Sequence, residues 1–313
     1  MNVQKVELHE VGPREGFQFE GIGQPEKIPT TRKVELVQAL ATTGLRKIQV
    51  TSFVSPKQVP QMADAEEVSR RLQPVSGLEY DCVYLNDKGL ERALNAGIYT
   101  IEGHVSLSAS EAFSKRNQNR TLAEDIEMQR RQLHLYRANN IPIEGGRLMA
   151  AFGCNYEGDI PLSRVIDLVV IMHDLIAEGG GQFRELQLAD TMGWADPESV
   201  TRTVHAVRSR WPELKLSLHL HDTRGAGLAN FYAGLESGVT KFDTSVGGLG
   251  GCPFAQTVGG NICTEDVVFM CERMGVETGV HFERLIECSR LAEDIVGHVL
   301  PSRMSHAWGS AAT

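Results

Sequence analysis

The chain has 313 residues, 42% of them hydrophobic and 23% charged, with a formal net charge of −9. That balance suits a globular protein with one full core. A negative net charge without basic clusters argues against a nucleic-acid partner, and no apolar run is long enough to span a membrane. Lys5 and Glu7 interrupt the start before any apolar segment, so no secretion signal is read there. The six scattered cysteines then read as reduced thiols, mostly small core residues, in a cytoplasmic protein.

From the amino terminus, a first strand, Val6–Val11, runs into "GPREGFQ", which sets Arg14 and Glu15 at the mouth of a buried strand. The segment "TTRKVELVQALATTG" has apolar residues three and four apart and stops at Gly44, the pattern of an amphipathic helix. Strands follow at Lys47–Phe53 and Tyr80–Tyr84, then the helix "NDKGLERALNAG". Further strands are Thr100–Leu107, Glu144–Ala151, Glu185–Asp190, Lys215–Asp222 and Lys241–Val246. Helical patterns such as "LSRVIDLVVIMHDLIAEGGG" and "GLANFYAGLESG" lie between them, each closed by glycine. Eight strand–helix units in alternation imply parallel strands with right-handed crossovers, an α/β TIM (β/α)8 barrel. No G-x-G-x-x-G follows the first strand, which weakens an open dinucleotide-binding sheet. With no linker, residues 1–313 are read as one barrel domain, 276–313 forming a helical C-terminal extension that includes "FERLIECSRLAEDIVG".

In such barrels the reacting groups sit at the carboxyl ends of the strands. Three clusters fall there. Arg14 and Glu15 are the first. His219 and His221 are the second: two apart on a strand, they point to one side, away from Leu218 and Leu220. Alone, H-x-H also fits one core histidine and one bonded to a loop. On an interior face expected to be otherwise apolar, with Glu15, Asp190 and Asn261 at neighbouring strand ends, a shared metal ion is the sharper reading. The third is "SVGGLGGCPFAQTVGGN", whose glycines and prolines make a loop that displays Cys252 instead of burying it, a placement suited to proton transfer.

The motifs "EVGPREG-Q", "TSFVSPK-VPQM", "GC-YEG", "ADTMG", "HLHDTRG-GLAN" and "GGLGGCPFAQ---GN--TED" together resemble the hydroxymethylglutaryl-CoA lyase family, within the metal-dependent lyase and Claisen-condensing barrels, over nearly the whole length. The resemblance implies a carbon–carbon lyase that cleaves hydroxymethylglutaryl-CoA, or a related 3-hydroxy-3-substituted acyl-CoA, into an acyl-CoA and a keto acid. It implies a divalent metal, Mg2+ or Mn2+, on Glu15, His219, His221 and Asn261. Arg14 would face the thioester oxygen, Cys252 would supply or relay a proton, and Glu265, Gln18 and Asp190 would support the site. The expected partner is a CoA ester, and the expected assembly is a homodimer or higher homo-oligomer.

The chain departs from the family pattern at several positions. Glu15 stands where Asp is usual, Gln49 where Glu is usual, Gln187 for Ser, Arg147 for Tyr and Arg224 for an aromatic residue. One acid fewer and two arginines more imply a more positive pocket, hence a substrate with an additional or differently placed carboxylate or an altered acyl portion. The alternatives are a related lyase or aldolase, a Claisen-condensing synthase, and a catalytically silent binding barrel. The lyase form of the cysteine loop disfavours the synthase, and retention of Arg14, both histidines, Cys252 and Asn261 disfavours the silent barrel.

Overall fold

The structure, a computed structural model, describes residues 4–20, 28–250 and 260–308. All eight expected strands form, with ends shifted by a few residues. They are β1 (Glu7–Glu10), β2 (Lys47–Phe53), β3 (Glu79–Tyr84), β4 (Gly103–Ser108), β5 (Ile143–Met149), β6 (Glu185–Ala189), β7 (Lys215–His219) and β8 (Lys241–Thr244). Helices Thr30–Leu40, Asp87–Ala96, Leu162–Glu178, Gly227–Glu236 and Phe282–Val296 alternate with or follow them. The helix from Asp87 shows how local chemistry sets the bounds. Asn86 accepts a hydrogen bond from Gly89 N, and Gly97 ends the helix in the left-handed region at φ 68°. This alternation is the (β/α)8 class, with helices continuing beyond the last unit.

The chain packs as two compact units, Glu102–Phe242 and Gln4–Ile101 with Asp243 onward, the division falling inside β8. In the first, β4, β5, β6 and β7 pair in parallel in that order. Leu107, Leu148, Leu188 and Leu218 are buried on the helix-facing side. In the second, β2 pairs in parallel with both β1 and β3. Val11 N donates to Thr244 O at 2.9 Å on the other side of β1.

The opposite faces of these strands do not match the expectation of an apolar interior. In the first unit, Ser106, Arg147, Gln187 and Ser217 stand in one register row. In the second, His9, Gln49, Asp81 and Asp243 occupy the corresponding face. A β-bulge at Val50 breaks the β2–β3 register just past the Gln49–Asp81 pair. Bulges re-aim side chains and are common beside sites. The five described cysteines are buried, as small core residues are.

Candidate active site

Arg14 and Glu15 lie in the first turn of a helix, Gly12–Glu20, that starts directly after β1. Pro13 fits there because a first-turn residue needs no intrahelical N–H partner, and Glu15 is favoured by the positive end of the helix. Gly12 is required by space: a Cβ would stand 2.6 Å from Glu10 Oε1 and 2.7 Å from Ser245 Oγ.

The Arg14 guanidinium is held at two nitrogens. Its Nε donates to Gln49 Oε1 at 2.5 Å and its Nη2 to Glu15 Oε2 at 2.9 Å. Among the described residues Nη1 has no protein acceptor. Gln18 lies three residues on from Glu15 and accepts from Ser52 Oγ at 3.3 Å.

Asn261 is 1% exposed; its Nδ2 donates to Leu249 O at 3.2 Å. Its Oδ1 is buried and has no hydrogen-bond partner among the described residues. Gly250, at φ +105°, lets Asn261 and Glu15 approach: a Cβ there would meet Asn261 Nδ2 at 2.8 Å and Glu15 Cγ at 3.2 Å. Glu265 does not reach this point. Its carboxylate accepts from Gly247 N at 3.0 and 3.2 Å and from Ser289 Oγ at 2.6 Å, which ties down the root of the glycine loop. Cys252 lies outside the described residues.

In the other unit, β7 ends at His219, and His221 follows with the same orientation. Their Nε2 atoms are 3.1 Å apart. Two imidazoles this close could hold a cation together, each offering a lone pair to the same ion. Asp190 is fully buried beside them; Oδ1 accepts from Trp194 N at 2.7 Å, and Oδ2 has no partner among the described residues. Burial raises its pKa, opposed by the charges of His221 and His219. Arg224 braces a loop: Nη1 donates to Met192 O at 2.6 Å and Gly193 O at 2.9 Å, Nη2 to Asn155 Oδ1 at 3.1 Å, and the group lies 5.0 Å over the Trp194 ring. Arg147 differs. Part-buried on β5, in register with Gln187 and Ser106, it has no ion pair or hydrogen bond among the described residues.

The donors described in each unit are of types that suit a divalent metal. Glu15 and the orphaned Asn261 oxygen are hard ligands, and the converging imidazoles are borderline ones.

The model of the HMGL-like family matches residues 5–292. The chain belongs to that family. Among its relatives, the hydroxymethylglutaryl-CoA lyase YngG of Bacillus subtilis is 39% identical over 300 residues, covering 96% of each chain. The crystal structure of the Bacillus subtilis HMG-CoA lyase superposes with a TM-score of 0.88 at 38% identity, covering 99% of this chain and 100% of that one. An HMG-CoA lyase from Acinetobacter baumannii, in complex with coenzyme A and 3-methylmalate, gives 0.87 at 36% identity, over 100% and 98%.

This HMGL-like chain also contains site residues that sequence reasoning missed. Glu10 is fully buried under the turn that carries Arg14. It accepts from Gly12 N at 2.8 Å, Val246 N at 2.9 Å and Thr264 Oγ1 at 2.6 Å, joining that turn to the loop root. The available signal was a carboxylate in phase with Val6 and Leu8, on the buried face of β1. Burial pushes the Glu10 pKa up to about 7, against its hydrogen bonds from Thr264, Val246 and Gly12.

Between the ordinary carboxylate value and about 7 the folded protein holds a proton that the unfolded chain has lost, so stability falls as pH rises through this window. Glu10→Gln keeps an acceptor for both backbone N–H groups and should flatten that slope in denaturant titrations at about pH 5 and 7.5. Glu10→Ala leaves the Gly12 and Val246 N–H groups unpaired and should cost about 3 kcal/mol. An unchanged slope in Glu10→Gln would remove Glu10 as its source.

Proposed function

We propose that this protein is a metal-dependent carbon–carbon lyase that cleaves hydroxymethylglutaryl-CoA or a closely related 3-hydroxy-3-substituted acyl-CoA. The observation that carries the reading is the converging His219–His221 pair, in a chain matched along 96% of its length by a relative named hydroxymethylglutaryl-CoA lyase. Glu15, His219, His221 and Asn261 would hold the ion, for which Mg2+ or Mn2+ suits the mixed imidazole and oxygen set. When bound, it supplies positive charge for the tertiary hydroxyl and a substrate carboxylate.

The chain's own residues account for the rest. The hydroxyl proton passes to a base, for which Asp190 Oδ2, buried beside the histidines, is the described candidate. The C–O bond becomes a ketone, the adjacent C–C bond breaks, and its electron pair moves onto the thioester as an enolate. Arg14 presents Nη1 to that oxygen, already oriented by Gln49 and Glu15. Protonation of the enolate carbon, assigned here to Cys252, completes the acyl-CoA. For hydroxymethylglutaryl-CoA the products are acetyl-CoA and acetoacetate.

The same reading takes a CoA ester as partner, in keeping with the relative crystallised with coenzyme A. It places the protein in the cytoplasm, as a homodimer or larger homo-oligomer, which light scattering would check. No described helix is long and apolar enough to cross a membrane.

Within each unit, the substituted positions have neighbours that bear on the expected positive charge. Arg224 is engaged with its own loop, and Asp81 restores an acid next to Gln49. Arg147 remains as the arginine available to a substrate carboxylate. Arg147→Gln should raise KM for a dicarboxylic acyl-CoA by ~10-fold or more with a smaller change in kcat, the signature of lost ground-state binding.

The test is turnover of metal-loaded protein on hydroxymethylglutaryl-CoA and a panel of branched 3-hydroxyacyl-CoA esters, with products identified by mass spectrometry. Cleavage of none would overturn the function. Cleavage with KM unmoved by Arg147→Gln would overturn the role of Arg147.

A further inference from the structure

We propose that His9, Asp81 and Gln49 form a positioning relay that sets the orientation of Arg14. The inference rests on the reading of Arg14 as the group facing the forming enolate, and its groups lie on β1, β2, β3, β8 and the first turn after β1.

The relay is continuous. Asp243 Oδ1 lies 3.0 Å from His9 Nδ1, and Asp81 Oδ1 lies 3.0 Å from His9 Nε2. The other oxygen of Asp81, Oδ2, accepts from Gln49 Nε2 at 3.1 Å, and Gln49 Oε1 accepts from Arg14 Nε at 2.5 Å.

The direction of each bond follows from what each group can do. A carboxylate only accepts, so His9, flanked by two, must donate from both ring nitrogens and is an imidazolium. Burial alone would lower its pKa, but Asp81 and Asp243 reverse this and raise it to about 9. With Asp81 accepting on both oxygens, Gln49 has to turn its NH2 towards Asp81. Its carbonyl oxygen is then left facing Arg14, and the flipped amide would set oxygen against carboxylate and NH2 against N–H.

This also explains why position 49 is not acidic. A glutamate there would hold its second oxygen against Asp81 Oδ2 at the present 3.1 Å contact, with nothing to donate between them. The negative charge missing at Gln49 stands one strand over, on its register partner Asp81. The imidazolium of His9 keeps that charge compensated.

His9, Asp81 and Gln49 act through Arg14, so the experiment must separate positioning from simple support of the fold. Asp81→Asn and Gln49→Glu each break the donor–acceptor order. Each should lower kcat ~10- to 100-fold with KM within about two-fold. Combined, they restore a consistent chain. The carboxylate introduced at position 49 would accept from Arg14 Nε and from the amide introduced at position 81, while that amide's own oxygen would accept from His9. The double variant should recover to within about three-fold of the parent. In an Arg14→Ala background, Asp81→Asn should have no further effect on kcat.

A second readout is independent of substrate. With 15N-labelled arginine, the Arg14 Nε–H signal should be protected from solvent exchange in the parent and the double variant, and lost in each single variant. Failure of the double variant to restore either kcat or the protected signal would overturn the relay, as would a kcat within about two-fold of the parent in Asp81→Asn. If no CoA ester is turned over at all, the activity arm rejects the function, while the exchange arm still decides whether the relay holds Arg14.

Discussion

Arg14→Ala should lower kcat by on the order of 10^3-fold, the loss expected when a fixed donor at a developing oxyanion is removed. Fixation is what makes the effect large. Gln49 and Glu15 take Nε and Nη2, so on the proposed reading the remaining edge would meet the enolate oxygen without reorganising when charge appears there. A lysine does not reproduce this. Arg14→Lys keeps the charge, but one ammonium cannot bond Gln49, Glu15 and substrate in the same planar fork, so at most about a tenth of the lost rate should return. Steady-state kinetics on metal-loaded protein, with metal content measured for each variant, make the comparison. An Arg14→Ala kcat within about ten-fold of the parent would mean that another group carries the oxyanion.

The second large effect is metal removal. The protein should bind one divalent ion per chain, and exhaustive chelation should lower turnover ~10^3-fold or more, with Mg2+ or Mn2+ restoring it. His221→Ala and Asn261→Ala should each lose most of the bound ion. The reason differs between them. His221 gives up one of two imidazoles whose Nε2 atoms already converge to 3.1 Å. Asn261 gives up a buried amide oxygen that has no hydrogen-bond partner among the described residues. Elemental analysis and the shift in melting temperature on adding Mn2+ read the site without any assay of turnover. Undiminished metal content in both variants would show that the ion sits elsewhere.

The relay to Arg14 and the clasp of Glu10 share a feature: both hold the turn after β1 from below. The first fixes the direction of a guanidinium, and the second fixes the backbone that carries it to Val246 at the loop root. Their substitutions should therefore separate, Glu10 variants moving stability and relay variants moving kcat.

Much of the fold is written locally. Runs such as "KIQVTSF" and "KLSLH" are strands by their β-branched and alternating apolar content, and Gly97 and Gly297 stop helices at left-handed positions wherever the chain folds. The two-residue period of a strand was enough to put His219 and His221 on one side. The motifs around Arg14, the histidines and Asn261 were enough to name the family.

Other features depend on contacts that no local pattern contains. "GPREG" has two glycines and a proline, so its helical conformation shows only once Val11 O accepts from Glu15 N and Glu10 anchors the turn. The meaning of Gln49 was equally hidden. From the sequence it is a missing acid. Its partner Asp81 is 32 positions away and becomes a neighbour only when β2 and β3 pair. His9 meets Asp81 and Asp243 across separations of 72 and 234 residues. The strands, the helix stops and the residue types at the strand ends were thus legible from the residues alone, because each follows from backbone preference and side-chain period. Which charges compensate one another emerged only in the folded chain, because hydrogen bonding and Coulomb attraction depend on distance in space and not along the sequence.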